Sequence, residues 1–122
     1  MEDEPVLRPL VWLASSLQDF RGFPDDVKDE LGFALFTAQA GGRHRKAKTF
    51  KGTGDARVVE LVEDHRGDTF RTLYTVRFAS AVYVLHAFQK KSKTGTATPK
   101  ADLRLIAQRL RDAERLHKEL YP

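Results

Sequence analysis

An α+β fold, with a helical hairpin and a C-terminal helix packed on an antiparallel sheet of three to five strands, is what this 122-residue sequence predicts. Three observations lead to it. Apolar residues recur at helical spacing over 24–40 and again over 99–119. Between them the period shortens to two, in runs rich in β-branched and aromatic residues. Those runs are joined by connections too short for a crossover helix, so neighbouring strands are antiparallel.

Taken in order, Leu-Arg-Pro-Leu-Val-Trp-Leu-Ala (7–14) reads as a short first strand, with Pro9 tolerable near a strand start or on an edge. Residues 15–23 suggest a helical turn capped by Ser15 or Ser16. Pro24 suits a first helical position, and Asp25 and Asp26 complement the positive helix end. Val27, Leu31, Leu35 and Ala38 then define a helix over 24–40, closed by Gly41-Gly42. Residues 48–52 suit an edge strand. Strands are expected at 57–63, 70–78 and 81–89, separated by Asp-His-Arg-Gly-Asp and by Ala-Ser. Thr98-Pro99 opens the last helix, which carries Leu103, Ile106, Leu110, Ala113 and Leu120 on one face. Arg104, Gln108, Arg111 and Arg115 lie on the other. The length suits one domain, residues 1–122. Helices on a single sheet face would leave the opposite face open, and function is expected there.

Composition narrows the chemistry. There is no cysteine, so neither disulfides nor thiolate chemistry is available. No apolar run approaches the roughly 20 residues that span a bilayer, and the acidic start is unlike a secretory signal, so the expected location is the cytoplasm with no membrane partner. The four histidines are scattered, no acidic triad has ligand spacing, and Gly-Thr-Gly-Asp-Ala-Arg lacks the ending of a phosphate loop. Neither metal nor cofactor is expected. The net charge of +4 hides a polarity: residues 1–42 carry three basic and eight acidic side chains, and residues 43–100 carry thirteen and five. The middle of the chain suits a polyanion, and the start suits a basic partner.

Alternation sorts the candidates within the strands. Phe70, Thr72, Tyr74, Val76 and Phe78 share a core face, while Arg71, Leu73, Thr75 and Arg77 share the other. Arginine donates two parallel hydrogen bonds to a phosphate, yet arginines on a half-exposed sheet are also ordinarily solvated. Glu60, on the neighbouring strand, suits either a general base or a cross-strand partner for Arg71. His86 alternates with Val82, Val84 and Phe88, a setting that fits a satisfied core side chain as well as a proton carrier. Two basic tracts without an acid flank the sheet. One carries Arg43, Arg45, Lys46, Lys48 and Lys51; the other carries Lys90, Lys91, Lys93 and Lys100. They suit sequence-independent attraction to nucleic-acid phosphates, or a solvated loop.

Several stretches together resemble the phage-derived, HigB-type branch of the RelE toxin superfamily. They are Trp-Leu-Ala-Ser-Ser-Leu-Gln-Asp-Phe-Arg-Gly-Phe-Pro, Gly-Phe-Ala-Leu-Phe-Thr-Ala-Gln-Ala-Gly, Ala-Lys-Thr-Phe-Lys-Gly-Thr-Gly, and above all Gly-Asp-Thr-Phe-Arg and His-Ala-Phe-Gln-Lys-Lys-Ser-Lys. The likeness runs from about residue 9 to residue 115. It implies a RelE-like fold and the toxin of a type II toxin–antitoxin pair, a metal-independent endoribonuclease that cuts mRNA on the ribosome through attack by the 2′-hydroxyl. It also implies an antitoxin partner of the helix-turn-helix HigA type, through which the toxin contacts operator DNA indirectly. Among site residues, Arg71 resembles the family arginine at the scissile phosphate. Glu60 falls where relatives use Lys or Glu in proton transfer, and Lys90 and Lys91 fall near a basic residue that stabilises the leaving group. Lys46, Lys48, Lys51, Arg77 and Lys93 are the expected RNA-binding set. Relatives carry Tyr or His shortly after the basic residue, where this chain has Gly95-Thr96-Ala97-Thr98, so its nearby imidazole is His86. Two other functions are open: an RNA- or ribosome-binding inhibitor without cleavage, and a subunit acting mainly in a repressor complex.

Overall fold

A computed structural model describes residues 6–90 and 98–122. The elements are β1 (Leu10–Trp12), α1 (Ser16–Arg21), α2 (Asp25–Gln39), β2 (Ala47–Thr49), a 3-10 turn (Lys51–Thr53), β3 (Val58–His65), β4 (Asp68–Thr75), β5 (Val82–Lys90) and α3 (Lys100–Leu120). The strands form one sheet in the order β1-β5-β4-β3-β2. The meander from β2 to β5 is antiparallel, as the short connections predict, whereas β1 lies parallel to β5. Both long helices begin one residue after a proline, because Pro24 and Pro99 adopt extended backbone and serve as caps.

Turn chemistry fixes the register. At the β3–β4 hairpin, Arg66 and Gly67 both take positive φ, 52° and 89°, between the paired His65 and Asp68. That two-residue geometry matches the twist of the flanking strands. At the end of α2, the Gly41 and Gly42 amides donate to the Ala38 and Thr37 carbonyls, with Gly41 at φ 91°. The expected Ala-Ser turn is replaced by a longer connection over residues 76–81, since β4 stops at Thr75.

Helices occupy both faces of the sheet, which is where the structure departs from the single-sided packing expected of it. On one face, Val27, Leu31, Ala34, Leu35 and Ala38 of α2 pack with Phe20 and Phe23 against Leu61, Phe70, Tyr74, Val82 and Val84. On the other, Ile106 and Ala113 of α3 pack against Val58, Leu73, Tyr83 and Leu85. The alternation of β3, β4 and β5 is apolar in both phases, so each face needs a cover. Leu73, which the sequence places beside the arginines, and Leu85 are the residues that call for α3.

A break in register within β5 decides where the polar groups go. Leu73 pairs with His86 and Tyr74 with Val84, which leaves Leu85 as an extra residue. Such a bulge changes the side to which the following residues point. Val82 and Val84 therefore face α2, but His86 turns toward α3. The alternation that grouped His86 with Val82 and Val84 fails at this point.

Gly52 brings the 3-10 turn against α3. A Cβ there would lie 2.6 Å from the Phe50 ring and 2.7 Å from a Leu103 methyl. Gly52→Ala is expected to destabilise the chain by about 1–3 kcal/mol through overpacking, read as a lower urea midpoint at unchanged slope.

Candidate RNA-binding and catalytic site

The face of the sheet that carries α3 also carries the charged groups. Cross-strand register sets them out in adjoining rows: Lys48 opposite Glu60 and Glu60 opposite Leu73, then Val62 opposite Arg71 and Arg71 opposite Phe88, then Thr69 opposite Lys90. Glu60 and Arg71 are thus diagonal neighbours, within reach of long side chains. The Arg71 guanidinium donates to the Glu60 carboxylate at 2.6 Å.

Arg71 and Lys90 are each only 7% exposed. The Lys90 ammonium is held below its ordinary range by burial first and by the Arg71 charge second, with Glu60 acting in the opposite direction. Three ionisable side chains from β3, β4 and β5 therefore sense one another on one patch of sheet, with exposed Lys48 beside them. Two cations and a carboxylate in a place with little solvent make a charge-stabilising environment that can receive a phosphate.

His86 belongs to a separate network. Its Nε2 lies 2.7 Å from Asp102 Oδ1, and its Nδ1 lies 3.2 Å from an Arg109 amine. A guanidinium only donates, so Nδ1 accepts, and Nε2 carries the proton that goes to Asp102. Arg109 also donates to the Leu85 carbonyl at 3.0 Å and to the Ser15 hydroxyl at 3.2 Å, and that hydroxyl donates to Asp19 at 2.9 Å. Phe88 stacks on the imidazole with ring centroids 4.7 Å apart. With both nitrogens engaged, His86 ties α3 to β5 and α1. Burial is the main reason its imidazole is held below the ordinary range; Asp102 opposes the shift, Arg109 adds to it, and Asp19 opposes it. Beside this network a cleft of about 360 Å³ opens between α1 and β5, lined by Asp19, Phe23, Phe70, His86, Phe88 and Gln89 among others.

The other expected site residues divide. Lys48 and Lys51 are exposed. Lys46 is turned to the α2 side, where it pairs with Glu63 and lies 3.7 Å from Glu30, which also holds His44 at 3.3 Å. Arg77 is bound to α3 through Glu114 at 3.1 Å and lies over the Phe78 ring. Lys91 and Lys93 fall outside the described residues. Among the described residues no cluster of His, Asp and Glu is placed to hold a metal ion.

Sequence reasoning missed Arg109 and Asp102. The signal was present: Asp102, Ile106, Arg109 and Ala113 recur at spacings of four, three and four, which puts two charged residues on the buried stripe of α3.

A family model described as phage-derived protein Gp49-like (DUF891) matches residues 18–111. The chain belongs to this family. Among solved structures, the free toxin RelE of E. coli, as a double arginine-to-alanine mutant, is 16% identical with a TM-score of 0.51, over 87% of this chain and 97% of that one. The toxin–antitoxin complex RelBE2 of Mycobacterium tuberculosis is 16% identical with a TM-score of 0.47, over 75% of this chain and 100% of that one. No curated protein sequence matches significantly. The fold of this Gp49-like chain is thus RelE-like, as its sequence predicts.

The His86 network gives this Gp49-like protein an acid-sensitive joint. The folded imidazole resists protonation, whereas the unfolded one accepts a proton near the ordinary value of 6.5. Stability is therefore full above that value and is lost as pH falls from it toward the lower folded value. Thermal melts between pH 7.5 and 5 are expected to show this loss, and His86→Gln is expected to flatten it.

Proposed function

We propose that this chain is the toxin of a type II toxin–antitoxin pair, of the HigB-type branch, and that it cleaves mRNA on the translating ribosome without a metal ion. The observation that carries this reading is the meeting of Arg71, Glu60 and Lys90 on one face of the sheet, with exposed Lys48 alongside. The family membership and the RelE-like fold support it.

In the proposed reaction Arg71 leaves Glu60 to grip the scissile phosphate, because its planar fork matches two phosphate oxygens. The freed Glu60 carboxylate takes the proton of the ribose 2′-hydroxyl. The 2′-oxygen bonds to phosphorus, the bond to the 5′-oxygen breaks, and a 2′,3′-cyclic phosphate remains. Lys90, whose proton is held less tightly than that of an ordinary lysine, protonates the departing 5′-oxygen. Lys91, the next residue in the sequence, is a second candidate for stabilising the leaving group's charge. Lys48 and Lys51 hold the RNA backbone by non-specific, salt-sensitive attraction. His86 acts by holding α3 in place rather than by moving a proton. The proposed partner is a helix-turn-helix antitoxin of the HigA type, and the proposed place of action is the cytoplasm.

Purified protein, added to translating ribosomes and mRNA with and without chelator, tests this by mapping of new 5′ ends. Cuts are expected to persist in chelator and to fall by about 10²-fold or more in Arg71→Ala. Lys48→Ala is expected to weaken cutting more at low salt than at high salt, because salt already screens the attraction that the substitution removes. Arrested translation without cuts, unchanged in Arg71→Ala, would instead establish a non-catalytic ribosome-binding inhibitor.

A further inference from the structure

The exposed side of α2 carries aromatic rings that its own core does not use. Asp26, Asp29, Phe33, Phe36 and Ala40 recur every three or four residues and form one outward stripe, opposite the buried Val27, Leu31, Ala34, Leu35 and Ala38. Phe33 is 60% exposed and Phe36 48% exposed. Val6 and Leu7 are also exposed, and their segment is tied to the same end of the helix. There the Arg8 amide donates to the Gln39 carbonyl, and the Gln39 side chain donates to the Arg8 carbonyl. Among the described residues, four of the six large exposed apolar side chains thus lie along or beside the C-terminal half of α2.

Gly32 stands next to this stripe in mid-helix. A glycine there costs about 1 kcal/mol relative to alanine. Nothing lies within 4 Å of where its Cβ would be, so no packing within the chain requires its absence. A missing side chain between Asp29 and Phe36 lets a second backbone come close. Asp26 and Asp29 take part in no ion pair among the described residues, unlike Asp25, which holds Lys28 at 3.3 Å. The stripe therefore offers unbalanced negative charge at one end, apolar rings at the other, and a notch between them.

We propose that the outer face of α2 is the docking surface for a basic amphipathic helix of the antitoxin. The proposal rests on the toxin reading above for the existence of that partner, and on this face alone for the chemistry of its helix. A helix is the fitting occupant because the stripe is straight and follows helical spacing over about four turns. The partner helix presents lysine or arginine toward Asp26 and Asp29 and apolar side chains toward Phe33 and Phe36, crossing α2 at Gly32. This surface lies across the sheet from Arg71, Glu60 and Lys90.

The test uses the chain co-expressed with the product of its neighbouring gene, which the toxin reading expects to be a helix-turn-helix protein. Amide hydrogen exchange compares free and complexed chain, and binding constants are measured for three variants. Residues 25–40 are expected to gain protection in the complex. Asp26→Lys/Asp29→Lys and Phe33→Ser/Phe36→Ser are each expected to bind about 30-fold or more weakly. Gly32→Leu separates docking from folding: the free chain is expected to melt roughly 2–5 °C higher, while the complex weakens as in the other variants. RNA cleavage by all three free variants is expected to equal that of the unmodified chain. A complex of undiminished strength in every variant, with no added protection of α2, overturns the docking surface and leaves the toxin reading standing. If the neighbouring protein forms no complex with the unmodified chain, the partner in the toxin reading falls and this surface falls with it.

Discussion

One buried guanidinium holds the three-layer arrangement together. Arg109 reaches from α3 to the carbonyl of the bulged Leu85, to His86 and to Ser15 at the start of α1. It therefore joins a helix on one face, the central sheet, and the turn that leads into the helices on the other. A buried charge of this kind is tolerated only when its donors are matched. The bulge supplies the match: it turns His86 toward α3 and leaves the Leu85 carbonyl available to a side chain. β1 contributes by its shortness. It ends at Trp12, so beyond Val84 the outer edge of β5 has space for Arg109 and α1.

The same arrangement defines the candidate site. With α3 packed over Leu73, Tyr83 and Leu85, the charged row of Glu60, Arg71 and Lys90 is set at the margin of the helix-covered region. Arg71 sits opposite Phe88, and Phe88 stacks on the fixed His86. The His86 network thus lies one aromatic ring away from the strand position opposite Arg71. A site on three adjacent strands is held more rigidly than one on loops, which suits chemistry that relies on preorganised charge.

Much of this was legible in the sequence, and the failures have particular causes. The helices over 25–39 and 100–120 and the strands of the meander follow from periodicity, because each has an apolar repeat strong enough to dominate local propensity. The pairing of Glu60 with Arg71 follows from alternation across one short hairpin, where register is set by the Arg66-Gly67 turn. The second helical layer is not legible in any one strand: Leu73 on β4 and Tyr83 and Leu85 on β5 give neighbouring strands a second apolar phase only when taken together, and that phase requires cover on both faces. His86 was misplaced because alternation assumes an unbroken strand, and the extra residue at Leu85 has no marker such as glycine. Lys46 and Arg77 were counted as basic surface, yet each is balanced by an acid distant in sequence, Glu63 or Glu114, which only the fold brings near.

That last difference reshapes the charge of the molecule. Counting by segment makes residues 43–100 strongly cationic, thirteen basic side chains against five acidic, but folding neutralises Lys46 on the α2 side and Arg77 against α3. Of the expected RNA-binding set, what remains exposed among the described residues is narrower: Lys48 and Lys51, on the side of the Arg71–Glu60 pair. On the other face, α2 keeps Asp26 and Asp29 outside any ion pair among the described residues, next to exposed phenylalanines. The polarity of the sequence thus becomes a polarity between two faces of one sheet. On such a distribution of charge a polyanion and a basic helix would be drawn to opposite sides of the sheet, and neither would displace the other by charge alone.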